Sequence, residues 1–365
     1  MKCIQIGDSD VIPSVEQAFS DSCENLNTGS LIPLQNTSYI TWRFNFCYSL
    51  LRIIMKNPLC RELLLSWPTG NEYVKLYSWF ITNCVFNSFL SITAIIFNCV
   101  TIKAVTTTSS LPKTLRTLLL SLAVSDLAVG LLAQPLNIVL LFKWLQMNAT
   151  NGPTCPTYTT FIFIGILFSA ASFFGVMALS VDRFLAIHFH LRYEELVTHK
   201  RVVSTVISLW VFSAILSSFT VSFSWNTTSA IFAPIGVSCL VISAVLYCKI
   251  CFVVRRHKSQ IHVVQIQQVE QDTEAVANLA VSRKSAAGAF YVYVVFLICY
   301  LPQFCSFVAA SASSGPNTAI KIFTMSSWTV VFLNSSLNPI VYCWKMRHIR
   351  RAIVSVLRSS FFRHN

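Results

Sequence analysis

Charge is scarce in this sequence. Of its 365 residues, 11% are Asp, Glu, Lys or Arg, less than half the ~25% of a soluble domain. Glycine is scarce as well, with 10 residues, and no glycine-rich phosphate loop is present. Fourteen acids occur, and only Asp126 lies deep inside an apolar run. None of the seven histidines (188, 190, 199, 257, 262, 348 and 364) does. An intramembrane aspartyl protease needs two membrane carboxylates, and a membrane metalloenzyme needs a His or carboxylate cluster. Neither set is available, so the chain reads as a non-enzyme. Residues 1–30 are polar and acidic and show no clear signal peptide.

What fills the sequence is hydrophobic residues, at 54%. Seven runs reach the ~20 residues that a helix needs to cross ~30 Å of hydrocarbon. They cover Tyr77–Ile102, Leu115–Phe142, Thr159–Ile187, Val202–Trp225, Ala230–Val254, Ala286–Ala310 and Ile320–Tyr342. They are too long and continuous for barrel strands. The expected fold is all-α: a seven-transmembrane helix bundle, with a short amphipathic eighth helix. The expected divisions are an extracellular region 1–72, a membrane domain 73–345 and a helix with short tail 346–365.

Lysine and arginine set the orientation. Beyond the first run, one set of loops and the tail holds 19 of them, and the opposite set holds two, Lys143 and Lys321. The rich side is expected in the cytoplasm, with the N-terminus outside, in a multi-pass plasma-membrane protein. The net charge of +13 is then a topology signal, and no nucleic-acid partner is implied. Sequons at Asn36, Asn148 and Asn226 fall on the outer side as candidate glycosylation sites, whereas Asn334-Ser-Ser lies inside the last run. The stretch Cys47–Trp67 carries Arg52, Lys56, Arg61 and Glu62. It reads as an interfacial helix or as sequence upstream of a later start such as Met55.

A lone intramembrane carboxylate points to a functional site. Asn98, Ser172, Asn334, Ser335 and Asn338 stand on other runs where they could meet Asp126. Together they would hold a small hard cation or a water network. The alternative is ordinary helix-to-helix hydrogen bonding.

The motifs around them resemble the rhodopsin-like (class A) G-protein-coupled receptors. Asn98 matches the first-span asparagine, with Phe97 in place of the usual preceding glycine. "LAVSD" at 122–126, "DRF" at 182–184, Trp210, Tyr247, "FLICYLP" at 296–302 and "NPIVY" at 338–342 match the signatures of spans two to seven in order. The resemblance covers about residues 75–355. It implies coupling to a heterotrimeric G protein, with arrestin as a further partner, through a switch of Asp182, Arg183, Phe184, Tyr247, Asn338, Pro339 and Tyr342. It implies a hinge at Phe296, Tyr300 and Pro302. It makes Asp126 the centre of an allosteric sodium or water network; no other cofactor is expected.

The resemblance also places a pocket at Ile162, Gly165, Ile166, Ser169, Gln303, Phe304, Phe307, Trp328 and Phe332, open to an extracellular small-molecule, lipid or peptide ligand. Gly165 stands where amine receptors keep an acid, and Phe332 where opsins keep the retinal lysine. Cys239 stands where most of the family has a proline. The loop joining spans four and five has no cysteine to pair with Cys155. Outside the spans, Cys3, Cys23, Cys47, Cys60 and Cys155 are the candidates for pairing. These features resemble a group containing the melanocortin, lysophospholipid and cannabinoid receptors, to which the adenosine receptors are related.

Two departures from the family bear on resting activity. Ser282-Arg283-Lys284 carries no acid at the foot of the sixth span, and Tyr300 replaces a tryptophan. Both are expected to weaken the resting state. "CWKMRHIRRAIVSVL" after Tyr342 sets Trp344, Met346, Ile349, Ile353 and Val356 on one side, as in a basic helix lying on the membrane. The competing readings are a secondary transporter, which wants internal repeats and broken glycine-rich helices, and a non-signalling seven-helix protein.

Overall fold

In a computed structural model of the chain, the described residues are 60, 70–108, 111–146, 154–189, 192–267, 293–309, 312, 318–345 and 347–362. All of them belong to one compact unit, Ile54–Asn365. The helices are α1 (Gly70–Thr107), α2 (Lys113–Leu145), α3 (Cys155–His188) and α4 (His199–Ser222). They continue with α5 (Trp225–Gln267), α6 (Tyr293–Ala309), α7 (Thr318–Lys345) and α8 (Arg347–Phe362). Helices α1 to α5 are each long and apolar enough to cross a membrane. No strand occurs among the described residues. The described residues of all seven expected spans are therefore helical, except 223–224 at the end of the fourth.

One boundary moves. The fourth run was expected to continue to Trp225, but α4 stops at Ser222. Phe223 is extended (φ −119°, ψ 164°), and Ser224 Oγ accepts the Thr227 amide at 3.3 Å. That serine caps the start of α5 in the manner of an N-cap, so an apolar run that looks continuous folds as two helices.

The bundle is apolar outside, and its largely hydrophobic core also takes in polar residues at the helix contacts. On α4, Ile207, Val211 and Ile215 are all more than half exposed, while Ser213, Ser217 and Thr220 on the opposite face are fully buried. Small hydroxyl residues let membrane helices approach and bond across the interface. Accordingly, Trp210 Nε1 donates to Ser121 Oγ at 3.0 Å and Ser217 Oγ donates to the Phe163 carbonyl at 2.5 Å. Asn87 donates to Thr329 Oγ1, which donates to Asn83 Oδ1, each at 3.0 Å, tying α1 to α7. Tyr293 OH donates to the Leu240 carbonyl at 2.8 Å, tying α6 to α5.

Residues Val129–Ala133 widen α2 into a π-helical turn just beyond Asp126. Pro135 begins the next α-helical segment. It lacks an N–H, and its ring would strike a carbonyl one turn back; the wider turn accommodates both. α8 buries Ile349, Ile353 and Val356 in the bundle core and leaves Arg350 and Arg351 exposed. Trp344 departs from the expected apolar face: it is 64% exposed, because it precedes α8, in the last turn of α7.

Cys155 does have a partner. It is disulfide-bonded to Cys60, 95 residues earlier and ahead of α1. The two-residue link between α4 and α5 offers no cysteine, so the top of α3 is held instead from the N-terminal side.

Candidate functional site

At the Lys- and Arg-rich end of α3, Asp182 is 4% exposed and accepts from Arg183 through Nε (2.9 Å) and Nη2. This is the paired arrangement that the motif implies for a resting switch. A residue missed in the sequence completes it: Tyr193, on the helical turn Tyr193–Leu196 after α3, donates its hydroxyl to Asp182 Oδ1 at 2.7 Å. Thr114 of α2 stands 3.4 Å from the same hydroxyl. Burial, followed by the adjacent Asp182 charge, pushes the Tyr193 phenol up to about 12. Phe184 stacks on His188 with centroids 5.3 Å apart. Tyr247 is buried and stacks on Tyr293 at 4.7 Å, while the buried Tyr342 hydroxyl has no hydrogen-bond partner among the described residues. Arg283 and Lys284 lie outside the described residues.

The polar network forms around Asp126, which is fully buried. Ser172 and Ser335 donate to Oδ1, each at 2.9 Å, and Asn338 donates to Oδ2 at 2.8 Å. The chain thus brings α2, α3 and α7 together at one carboxylate. Asn98 joins differently from the expectation: it donates to the Ser335 carbonyl at 2.9 Å rather than to Asp126. Asn334 is buried, but among the described residues neither side-chain atom has a hydrogen-bond partner, and the same holds for Oδ1 of Asn98 and of Asn338. A carboxylate, two hydroxyls and unsatisfied amide oxygens are hard ligands of the kind a small cation takes. The set fits sodium or water.

The hinge adds a contact to one expectation. Tyr300 was expected to hold α6 less firmly than a tryptophan. Its buried hydroxyl donates to the Ser169 carbonyl of α3 at 2.8 Å. Its ring packs against Phe173 at 5.1 Å and Phe296 at 4.7 Å. Tyrosine thus offers, in place of a tryptophan's bulk, a directed bond between α3 and α6 that sequence alone did not show. α6 runs unbroken through Pro302, and α7 through Pro339.

Above the hinge lies a cavity of about 100 Å³. Six of the nine expected pocket residues line it: Ile166, Ser169, Gln303, Phe304, Phe307 and Trp328. Ile162, Gly165 and Phe332 do not line it. Phe332 packs against Phe161 and Trp328 at 6.5 and 5.7 Å, and a Cβ on Gly165 would lie 3.4 Å from the Trp328 ring. Gln303 Oε1 accepts from Ser327 at 2.8 Å, joining α6 to α7. Gly236 was not anticipated. A Cβ there would fall 1.9 Å from Phe304, so this phenyl ring lies directly on the α5 backbone and narrows the cavity. Drug-sized sites usually hold ~300–1,000 Å³, so the pocket is too small for such a ligand in this arrangement.

Of the sequons, Asn226 opens α5, and Asn36 and Asn148 lie outside the described residues. Asn334 is fully buried and inaccessible, as expected.

A family model described as "7 transmembrane receptor (rhodopsin family)" matches residues 97–239. The chain is 26% identical to the histamine H2 receptor of Rattus norvegicus over 290 residues, covering 70% of this chain and 75% of that receptor. It is 28% identical to the adenosine receptor A2b of Bos taurus over 301 residues, 72% and 84% of the two chains. It is 25% identical to the octopamine receptor beta-1R of Drosophila melanogaster over 323 residues, and spans 76% of this chain and 62% of that receptor. Adenosine receptors belong to the group that the sequence motifs brought forward. The motifs in order, the helices that carry them and these relatives agree: the chain is a multi-pass membrane protein and a G-protein-coupled receptor, similar to the rhodopsin family over residues 97–239.

Proposed function

We propose that this receptor takes an uncharged, largely apolar ligand from the extracellular side. The lining of the cavity carries the reading: besides the aromatic Tyr300 and Trp328, Gln303 and Ser169 are its polar members, and no acid, lysine or arginine is among them. Two of the relatives are named for amines. A cationic amine needs a counter-charge when desolvated. Here the position that supplies it in amine receptors is Gly165, with Trp328 closing over it. A lipid-like or other neutral ligand with one or two hydrogen-bonding groups matches Gln303 and the surrounding aromatics.

The receptor works with its N-terminus outside and its Lys- and Arg-rich loops in the cytoplasm, at the plasma membrane. Arg183, released from Asp182, engages the G protein, with Phe184, Tyr247, Asn338, Pro339 and Tyr342 completing the switch. Arrestin binds the same face. Sodium at Asp126, with Ser172, Ser335 and the amide oxygens of Asn98, Asn334 and Asn338, favours the resting state. The test is expression in cells with cAMP, calcium and arrestin readouts against lipid, nucleoside, peptide and amine libraries. A neutral ligand should activate wild type and fail on surface-expressed Arg183→Ala. Activation by a cationic amine, with no response to any neutral class, would overturn the reading of the pocket.

A further inference from the structure

A second concavity lies on the outer surface of the bundle, away from the ligand cavity. It is a groove of about 700 Å³ between α3 and α5, lined by Phe184, His188, Val241, Val245, Lys249 and Phe252, together with Ala244 and Cys248. The α5 residues recur every three or four positions and so form one stripe. Val241, Val245 and Phe252 are each at least half exposed. On α3, Phe184 and His188 are one turn apart, and their rings stack with planes 11° apart. Phe189 meets the same imidazole edge-on at 4.8 Å. The histidine ring is therefore held in a fixed plane at the groove.

The charge in the groove is of one sign. Among the described residues the ion pair is Arg183–Asp182, and Lys249 takes part in none. No acid lines the groove. Apolar stripes on a membrane helix face acyl chains as a matter of course. This one differs in having an ammonium with no ion-pair partner among the described residues and a clamped imidazole at the end nearest the Asp182–Arg183 switch. A phosphate oxygen can accept from both, and such charge-assisted bonds are the strong ones.

We infer that this groove binds an anionic phospholipid, with its headgroup phosphate on Lys249 and His188 and an acyl chain along Val241, Val245 and Phe252. With the orientation proposed above, the lipid comes from the cytoplasmic leaflet, whose anionic lipids attract basic residues near the surface. The site lies against the switch helix. Its Phe184 neighbours Arg183 in sequence, so occupancy and switching share a helix turn.

Cys248 provides the reporter. It is a free, exposed cysteine in the groove, and Cys99 on α1 is an exposed control away from it. The full-length receptor is placed in nanodiscs of phosphatidylcholine alone or phosphatidylcholine doped with phosphatidylserine. Maleimide modification of each cysteine is then followed by peptide mass spectrometry. Phosphatidylserine should slow Cys248 by about fivefold, the effect of one basic residue near an anionic surface, and leave Cys99 unchanged. Lys249→Gln and His188→Gln should each reduce that protection, and Lys249→Arg should keep it. Equal Cys248 rates in the two nanodiscs, or protection that survives Lys249→Gln, would overturn the inference. Nanodiscs have no inside or outside, so a negative result here is separate from an error in the proposed orientation.

Discussion

Replacing Tyr300 by Phe removes one oxygen and nothing else. The ring keeps its neighbours, Phe173 at 5.1 Å and Phe296 at 4.7 Å. What disappears is the 2.8 Å bond to the Ser169 carbonyl. A buried neutral hydrogen bond contributes ~1 kcal/mol net. The carbonyl left behind sits in the middle of α3, where the helix supplies its own donor, so no buried acceptor is orphaned. If the bond exists only while α6 lies against α3, its loss shifts the resting-to-active equilibrium by about fivefold. An active population of about 1% would rise to about 5%, within the range of minor conformers. The assay is ligand-independent signalling per receptor at the cell surface, read in the pathway to which the wild type couples. Tyr300→Phe should exceed wild type several-fold. A signal equal to or below wild type, at matched surface density, would refute the latch.

Tyr193→Phe should also raise resting activity, because Asp182 loses its 2.7 Å hydroxyl donor; no change in that signal would reduce Tyr193 to packing. The phenol is pushed up to about 12, so its stabilising contribution is complete below the ordinary ~10 of tyrosine and is lost only as pH rises towards about 12. The effect of Tyr193→Phe should therefore be the same at any pH near neutral, checked by repeating the assay across that range. Asp126→Asn should abolish any dependence of agonist affinity on sodium, since the donors at 2.8–2.9 Å would then meet a neutral amide; equal sodium dependence in both proteins would leave only helix-to-helix bonding there. Cys60→Ser should lower surface expression and thermal stability, with a loss on the order of 2–5 kcal/mol for a native disulfide. Cys155→Ser should match it, and the double variant should be no worse than either; additive losses in a thermal unfolding assay would mean that the two do not pair.

Much of the receptor was legible because each signature residue sits at a fixed depth on its own span. Asp126, Ser172, Ser335 and Asn338 come from three helices and could be grouped before any coordinate was known, since a buried carboxylate must find donors. The parts that escaped depend on distances between positions whose identities carry no hint of one another. Cys60 gave no sign of being Cys155's partner rather than Cys3, Cys23 or Cys47. Tyr300 read as a smaller tryptophan until its hydroxyl was seen on the Ser169 carbonyl. Tyr193 lies on a single helical turn, too short for periodicity to mark it. Pro135 could have been read as a distortion of α2, because a proline within a helix always removes a donor. The break at Ser224 could have been read as a cap.

The phenyl ring of Phe304 lying on Gly236 has a consequence for anyone searching for ligands. A cavity of about 100 Å³ accepts only fragments, and a fragment that fits it binds the arrangement in which Arg183 is still paired with Asp182. Such compounds would be selected as suppressors of resting activity. An activating ligand of ordinary size must first turn Phe304 away from α5, and its apparent affinity is reduced by the fraction of receptors in which that ring has already moved. Enlarging the space by Phe304→Ala would lift that reduction. Screening the two forms in parallel would sort compounds by the state they prefer before any signalling assay is run.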